Sequence, residues 1–155
     1  MAAMRVLALF AALSLKLGAA DPQEKEVLAI IQSLFDGMAA RDAGQVKSAF
    51  TTDARLIASR DGKLRFNLSR DEFASRIAAG SAPVLERIWE PKVLIRDRIA
   101  NVWAEYDVHV NGRFAHCGID TFLLIRTDEG WRIFSLGSTM ETTGCKPSPL
   151  GPPKD

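Results

Sequence analysis

The stretch IANVWAEYDVHVNGRFAHCGIDTFLLIRTDEGWRIFSLGSTM, residues 99–140, decides the fold. Two turn signals cut it into three strands. Asn111-Gly112 suits a two-residue hairpin, whose central positions both need a positive φ. Asp128-Glu129-Gly130 turns the chain again before Trp131. The runs between are rich in β-branched and aromatic residues, which favour strands. Upstream, Leu85 to Ile95 reads as a further strand. Pro91 within it removes a ladder donor and marks an edge or a bulge. From Leu85 to Met140 the chain therefore reads as one antiparallel β-meander.

The first half has a different period. Asp21-Pro22 opens a helix, and Val27, Ile30, Ile31, Leu34, Phe35 and Met38 form one apolar stripe along it. Asp42 can cap a second, shorter helix carrying Val46, Ala49 and Phe50. Asp61-Gly62 joins two short strands as a hairpin, and Ser69 with Glu72 forms a capping box for a third helix. That helix stops near Gly80 and Pro83.

The first twenty residues read as a signal peptide: one early arginine, an apolar run from Val6 to Leu15, then Gly18-Ala19-Ala20 as a cleavage site. The run is too short to span a bilayer, which takes about 20 apolar residues. The organisation is thus a leader over 1–20, one α+β domain over 21–142 and a Pro-rich flexible tail over 143–155. Export to the periplasm or the medium of a bacterium is the expected location. The formal charge of +1 becomes −1 once Arg5 and Lys16 leave with the leader. Such a balance, with both signs interspersed, gives no electrostatic footprint for nucleic acid or anionic membrane.

A two-residue loop at Asn111-Gly112 sets the register of the central hairpin, with Val110 facing Arg113. Carried without interruption, it puts Asp107 opposite His116 and Trp103 opposite Asp120. One face then holds Trp103, Glu105, Asp107, His109, His116, Asp120, Trp131 and Ile133. The other holds Val102, Ala104, Tyr106, Val108, Cys117, Leu123 and Leu136. The first mixes large aromatics with a few ionisable groups, as small-molecule pockets do. Three helices cover only one face of such a sheet, and a second copy of the chain is the economical cover for the other. A strand bulge would exchange these faces.

This order of helices, hairpin, helix and meander resembles the nuclear-transport-factor-2-like superfamily. The sharper likeness lies in Asn111-Gly112, His116-Cys117-Gly118-Ile119-Asp120, Asp128-Glu129-Gly130-Trp131-Arg132-Ile133 and Gly144-Cys145. Together they are similar to a branch of exported bacterial members named "putative lumazine-binding". The resemblance implies an α+β, cone-shaped curved antiparallel sheet with about three helices from the N-terminal half packed on its concave face. It also implies a pocket in the hollow of the cone, opposite the helices, and a homodimer formed through the outer face of the sheet, here the face of Tyr106, Cys117, Leu123 and Leu136. Trp131 and Ile133 resemble residues that point into that interior.

An aspartate across from a histidine can fix one tautomer of the imidazole and raise its pKa, which suits acid–base work near neutral pH. His116, Asp120 and Asp107 are the candidate catalytic set on that reading, for a cofactor-free lyase, isomerase or dehydratase. The same pair serves equally as a buried contact that fixes strand register. Trp103, Phe122, Trp89, Glu105 and Trp131 are the candidate ligand-binding residues, with Trp89 either closing the pocket mouth or packing in the core. No cofactor is expected. A metal site needs three or four convergent ligands, and His109, His116, Asp107 and Asp120 are the whole pool, so no metal is assigned. A Cys117–Cys145 disulfide is the better use of the two cysteines, since Thr142 lies opposite Cys117 on this register and Cys145 can curl back. The expected function is an exported protein holding a small, largely apolar or aromatic ligand.

Overall fold

The computed structural model describes residues 21–153; the leader expected over 1–20 lies outside them. Helix α1, Pro22–Ala40, starts where Asp21 accepts the Gln23 N–H at 2.9 Å and ends at Arg41, which adopts φ 57°. Its stripe Val27, Ile31, Leu34, Phe35 and Met38 is buried. Helix α2, Ala43–Ser48, is capped by the Asp42 carboxylate. The hairpin β1, Phe50–Arg60, and β2, Lys63–Ser69, turns at Asp61-Gly62, both in positive φ. Ser69 and Glu72 then close a capping box on α3, Arg70–Ala79. Each helix begins where a side-chain oxygen satisfies otherwise orphaned backbone donors.

Four long strands follow: β3, Val84–Arg96; β4, Ile99–Val110; β5, Arg113–Thr127; and β6, Gly130–Thr139. They form the meander, and the β1–β2 hairpin joins its far side, giving the order β2-β1-β6-β5-β4-β3. All pairings are antiparallel except β1 with β6, which run parallel. The sheet is therefore not wholly antiparallel as the sequence reading had it, because the early hairpin inserts beside the last strand. The helices cover one face. There Phe35 meets Phe122 edge-on at 6.3 Å, and Val102, Leu124, Trp131 and Ile133 complete the core.

Bulges set the register. Val110 faces Arg113 and His109 faces Phe114, as the two-residue loop dictates, but Val108 then faces His116. Ala115 is the extra residue. Beyond it every pairing is shifted by one, so Asp107 lies opposite Cys117, and Trp103 opposite Thr121. This corrects the uninterrupted register. A strand has a side-chain period of two, so one inserted residue exchanges the faces of everything past it on that strand relative to its partner. A second bulge falls in β3 between Trp89 and Lys92, where Glu90 has φ 47° before Pro91. A third lies between β5 and β6.

Candidate functional site

The shifted register creates the site. His116, Gly118 and Asp120 of β5 now share the helix-covered face with Val102, Ala104, Tyr106 and Val108 of β4. Leu136 and Ser138 of β6 and Glu86 of β3 stand on the same face, Ser138 opposite Asp120 and Glu86 opposite Val108. A cavity of about 150 Å³ lies between this face and the helices, not opposite them. Tyr106 and Leu136, expected on the outer face, instead turn toward the helices. An apolar cavity of that size holds a single aromatic ring. Met38, Leu56, Phe66, Phe73, Ile77, Val108, Leu136 and Met140 supply its apolar wall, and Glu86, Tyr106, His116 and Ser138 supply its polar groups.

Two hydrogen-bonded groups occupy the polar side. In the first, the Tyr106 hydroxyl donates to the Thr139 carbonyl at 2.7 Å and stands 3.2 Å from His116 Nδ1. A hydroxyl has one proton, already given to Thr139, so Nδ1 must donate to the tyrosine oxygen. That assigns the imidazole its tautomer and leaves Nε2 as a bare acceptor. Burial, and secondarily the charge of Arg60, hold the His116 pKa below its ordinary value, which favours this neutral form. Burial pushes the Tyr106 hydroxyl up, so it stays protonated.

The second group is a carboxyl pair. Asp120 is fully buried and accepts the Ser138 hydroxyl at 2.7 Å through Oδ1. Its Oδ2 finds no conventional donor among the described residues. Glu86 is its carboxyl neighbour, close enough that each group shifts the other's pKa. Burial, reinforced by the nearby Asp120 charge, raises Glu86 well above the usual carboxylate range. Burial also pushes Asp120 up to about 6, against the opposing pull of its bonds to Glu86 and Ser138. Both carboxyls are therefore pushed toward the protonated form, Glu86 the further, as in other pairs where like charges cannot both ionise.

Gly118 lets these groups come together. A Cβ at that position would stand 2.1 Å from the Thr139 carbonyl oxygen, the atom that receives the Tyr106 hydroxyl. Thr139 Oγ1 also accepts the Ile119 N–H at 3.0 Å. The run His116-Cys117-Gly118-Ile119-Asp120 thus alternates between a pocket histidine, a close backbone approach and a pocket aspartate on one face, and Cys117 and Ile119 on the other.

Of the expected site residues, His116 borders the cavity and Asp120 backs it. Asp107 does not; it lies on the outer face in a bidentate ion pair with Arg87, at 2.9 and 2.6 Å, with His109 Nε2 3.4 Å away. Trp103 and Glu105 also stand on that outer face, where Lys92 Nζ lies 4.9 Å from the centre of the Trp103 ring and Lys146 pairs with Glu105. Trp89 is buried on the same side, beside Glu105. Phe122 and Trp131 face the helices but are buried in the core without lining the cavity. Glu86, Tyr106 and Ser138 escaped the sequence reading. Glu86 sits in Val84-Leu85-Glu86-Arg87-Ile88-Trp89, where apolar and charged residues occupy both faces and no clean alternation shows which way it points.

The outer face carries the chain's end. Cys117 and Cys145 are bonded, with Cα atoms 6.0 Å apart, and Glu141 rather than Thr142 lies opposite Cys117. Residues 144–153 run back across the sheet, and Arg87 Nη1 donates to the Gly151 carbonyl at 3.0 Å.

A three-helix layer on a curved, bulged sheet with a cavity between them is the nuclear-transport-factor-2-like α+β cone, and solved structures show the same fold. A protein of unknown function from Mycobacterium tuberculosis superposes with TM-score 0.67 at 15% identity, covering 81% of this chain and 80% of that one. A "putative dehydratase from the NTF2-like family" of Streptomyces avermitilis gives 0.62 at 18%, covering 75% and 94%. A "putative calcium/calmodulin dependent protein kinase II association domain" from Xanthomonas campestris gives 0.64 at 20%, covering 80% and 91%. No curated protein matches the sequence. Residues 22–136 match the family described as "putative lumazine-binding", and the chain belongs to that family.

Proposed function

We propose that this protein binds a small, largely apolar ring compound in the cavity between its helices and sheet. One observation carries the reading: an apolar cavity whose few polar groups, Glu86, Tyr106, His116 and Ser138, are gathered on one side. That is the composition of a site that holds a ligand's body by burial and orients it by hydrogen bonds. Phenol, a single ring of the size the cavity holds, is the probe for a calorimetric titration, and lumazine, the two-ring compound in the family description, is its larger comparison. Binding is expected to weaken at least tenfold in Ile77→Trp, which fills the cavity from α3, and to persist in Trp103→Ala on the outer face. Equal loss in both variants, or no binding by the wild type, contradicts the proposal.

A second reading has its own support, the buried Glu86 and Asp120 carboxyls, both raised in pKa, on the same face as an imidazole with a free Nε2. A base and an acid held so in a water-poor site suit cofactor-free isomerisation or dehydration. The catalytic set is then His116 with Glu86 and Asp120, and Asp107 has no part in it. Solvent deuterium exchange at the α-carbons of cyclohexanone tests this, with acceleration by the wild type and its loss in His116→Ala expected. Wild-type exchange no faster than buffer removes the enzymatic reading.

Export and dimerisation belong to the same proposal. The Cys117–Cys145 bond suits an oxidising compartment. Leu94, Trp103 and Phe134 are exposed on the outer side of the sheet, which suits pairing with a second copy. Sedimentation is expected to give a dimer that Trp103→Glu with Phe134→Glu converts to monomer; a monomeric wild type rules the dimer out.

A further inference from the structure

The hydrogen bonds around the cavity restrict which ring it can hold. Tyr106, His116 and Ser138, which line it, have their protons committed to the protein. The Tyr106 hydroxyl proton goes to the Thr139 carbonyl and the Ser138 hydroxyl proton to Asp120. His116 Nδ1–H goes to Tyr106. What remains of these groups toward the cavity is lone pairs, on His116 Nε2 and the Ser138 oxygen, with the Glu86 carboxyl beside them. Arg60, the nearby cation, lines a separate depression against Ser59, Thr139 and Glu141, not this cavity.

We infer that the cavity selects a neutral ring compound bearing a hydrogen-bond donor, a hydroxyl or ring N–H, and rejects both its apolar isostere and its carboxylate counterpart. This rests on the pocket reading above. A ligand without a donor leaves buried acceptors stripped of water and unpaired, the situation that gives polar sites their sharpest discrimination. A carboxylate meets acceptors only, with the Asp120 charge behind them. A donor bonds to His116 Nε2, whose orientation is already fixed by Tyr106 and Thr139.

The test compares three single-ring probes on the full-length protein at neutral pH: phenol, toluene and benzoate. Toluene has phenol's shape and is the more apolar, so burial alone ranks it first. The inference reverses that order, with phenol binding at least tenfold tighter than either. In His116→Phe the preference for phenol over toluene is expected to vanish. Should that variant not fold, the wild-type ¹⁵N resonance of His116 Nε2 reports directly, moving on addition of phenol and not of toluene. Toluene or benzoate matching phenol, or an unmoved Nε2 resonance at phenol saturation, overturns the donor rule while leaving the pocket standing. If none of the three binds, the pocket reading falls and the inference with it.

Discussion

Gly118 shows how much of the site hangs on one missing side chain. Thr139 is a shared partner, taking the Tyr106 hydroxyl on its carbonyl and the Ile119 N–H on its hydroxyl, and it approaches β5 only because residue 118 has no Cβ. Gly118→Ala must push β6 away at the floor of the site, because the obstruction is backbone and cannot rotate aside. A loss of about 1–3 kcal/mol in denaturant unfolding is expected, the range for overpacking a tight interior position. A change below the noise of that measurement contradicts the tight approach. Asp120 makes a second residue-scale prediction. Its folded pKa, about 6, lies above the ordinary carboxylate value, so the folded state holds the proton more tightly than the unfolded chain. The stability from that proton is complete at low pH and is lost as the pH rises through the folded value; the raised Glu86 acts in the same sense. His116, with its pKa lowered, works oppositely, losing stability as the pH falls. Asp120→Asn removes the first effect together with the part of the Glu86 rise that the Asp120 charge supplies. Relative to the variant, the wild type is expected to lose on the order of 2 kcal/mol between about pH 4 and pH 6. A pH-independent difference in thermal unfolding across that window refutes the buried carboxyl pair.

At the scale of elements, the strands and turns were legible because their signals are local. Asn111-Gly112, Asp61-Gly62, the Ser69–Glu72 box and the stripe on α1 need only neighbouring residues, and each appears where the sequence puts it. The faces of the meander were not legible. Ala115 carries no mark of a bulge, being neither glycine nor proline, and tertiary packing alone decides that it is skipped. His116 and Asp120 share a face in either register, since they lie four residues apart on one strand, and both reach the site. Asp107 and Trp103 owed their assignment to the partner strand and moved to the outer face. Glu86 was invisible for the converse reason, an edge strand with no readable alternation. The disulfide ties β5 to the chain's end across a sequence separation of 28. In the chain-entropy account, closing such a loop contributes about 3–4 kcal/mol. Reduction or Cys117→Ser with Cys145→Ser should lower stability by that order. Phenol binding should be retained, because Cys117 faces away from the cavity. Loss of the binding with the fold intact sinks the separation of the two faces.

The whole molecule divides its labour between two sides of one sheet. The helix-covered side combines an apolar cavity with groups whose protons are already assigned, and it depends on a single inserted residue in β5. The outer side holds the Arg87–Asp107–His109 cluster, exposed apolar residues and the bonded chain end. On the proposal above, the interior holds the ligand and the exterior meets a second copy. The central claim is that the ligand site is on the His116 side. A chemical-shift map of the ¹⁵N-labelled protein titrated with phenol tests it most directly. Perturbations confined to Glu86, Tyr106, His116, Ser138 and their cavity neighbours are predicted. Shifts centred on Trp103, Asp107 and His109, or none at saturating phenol, would contradict the account.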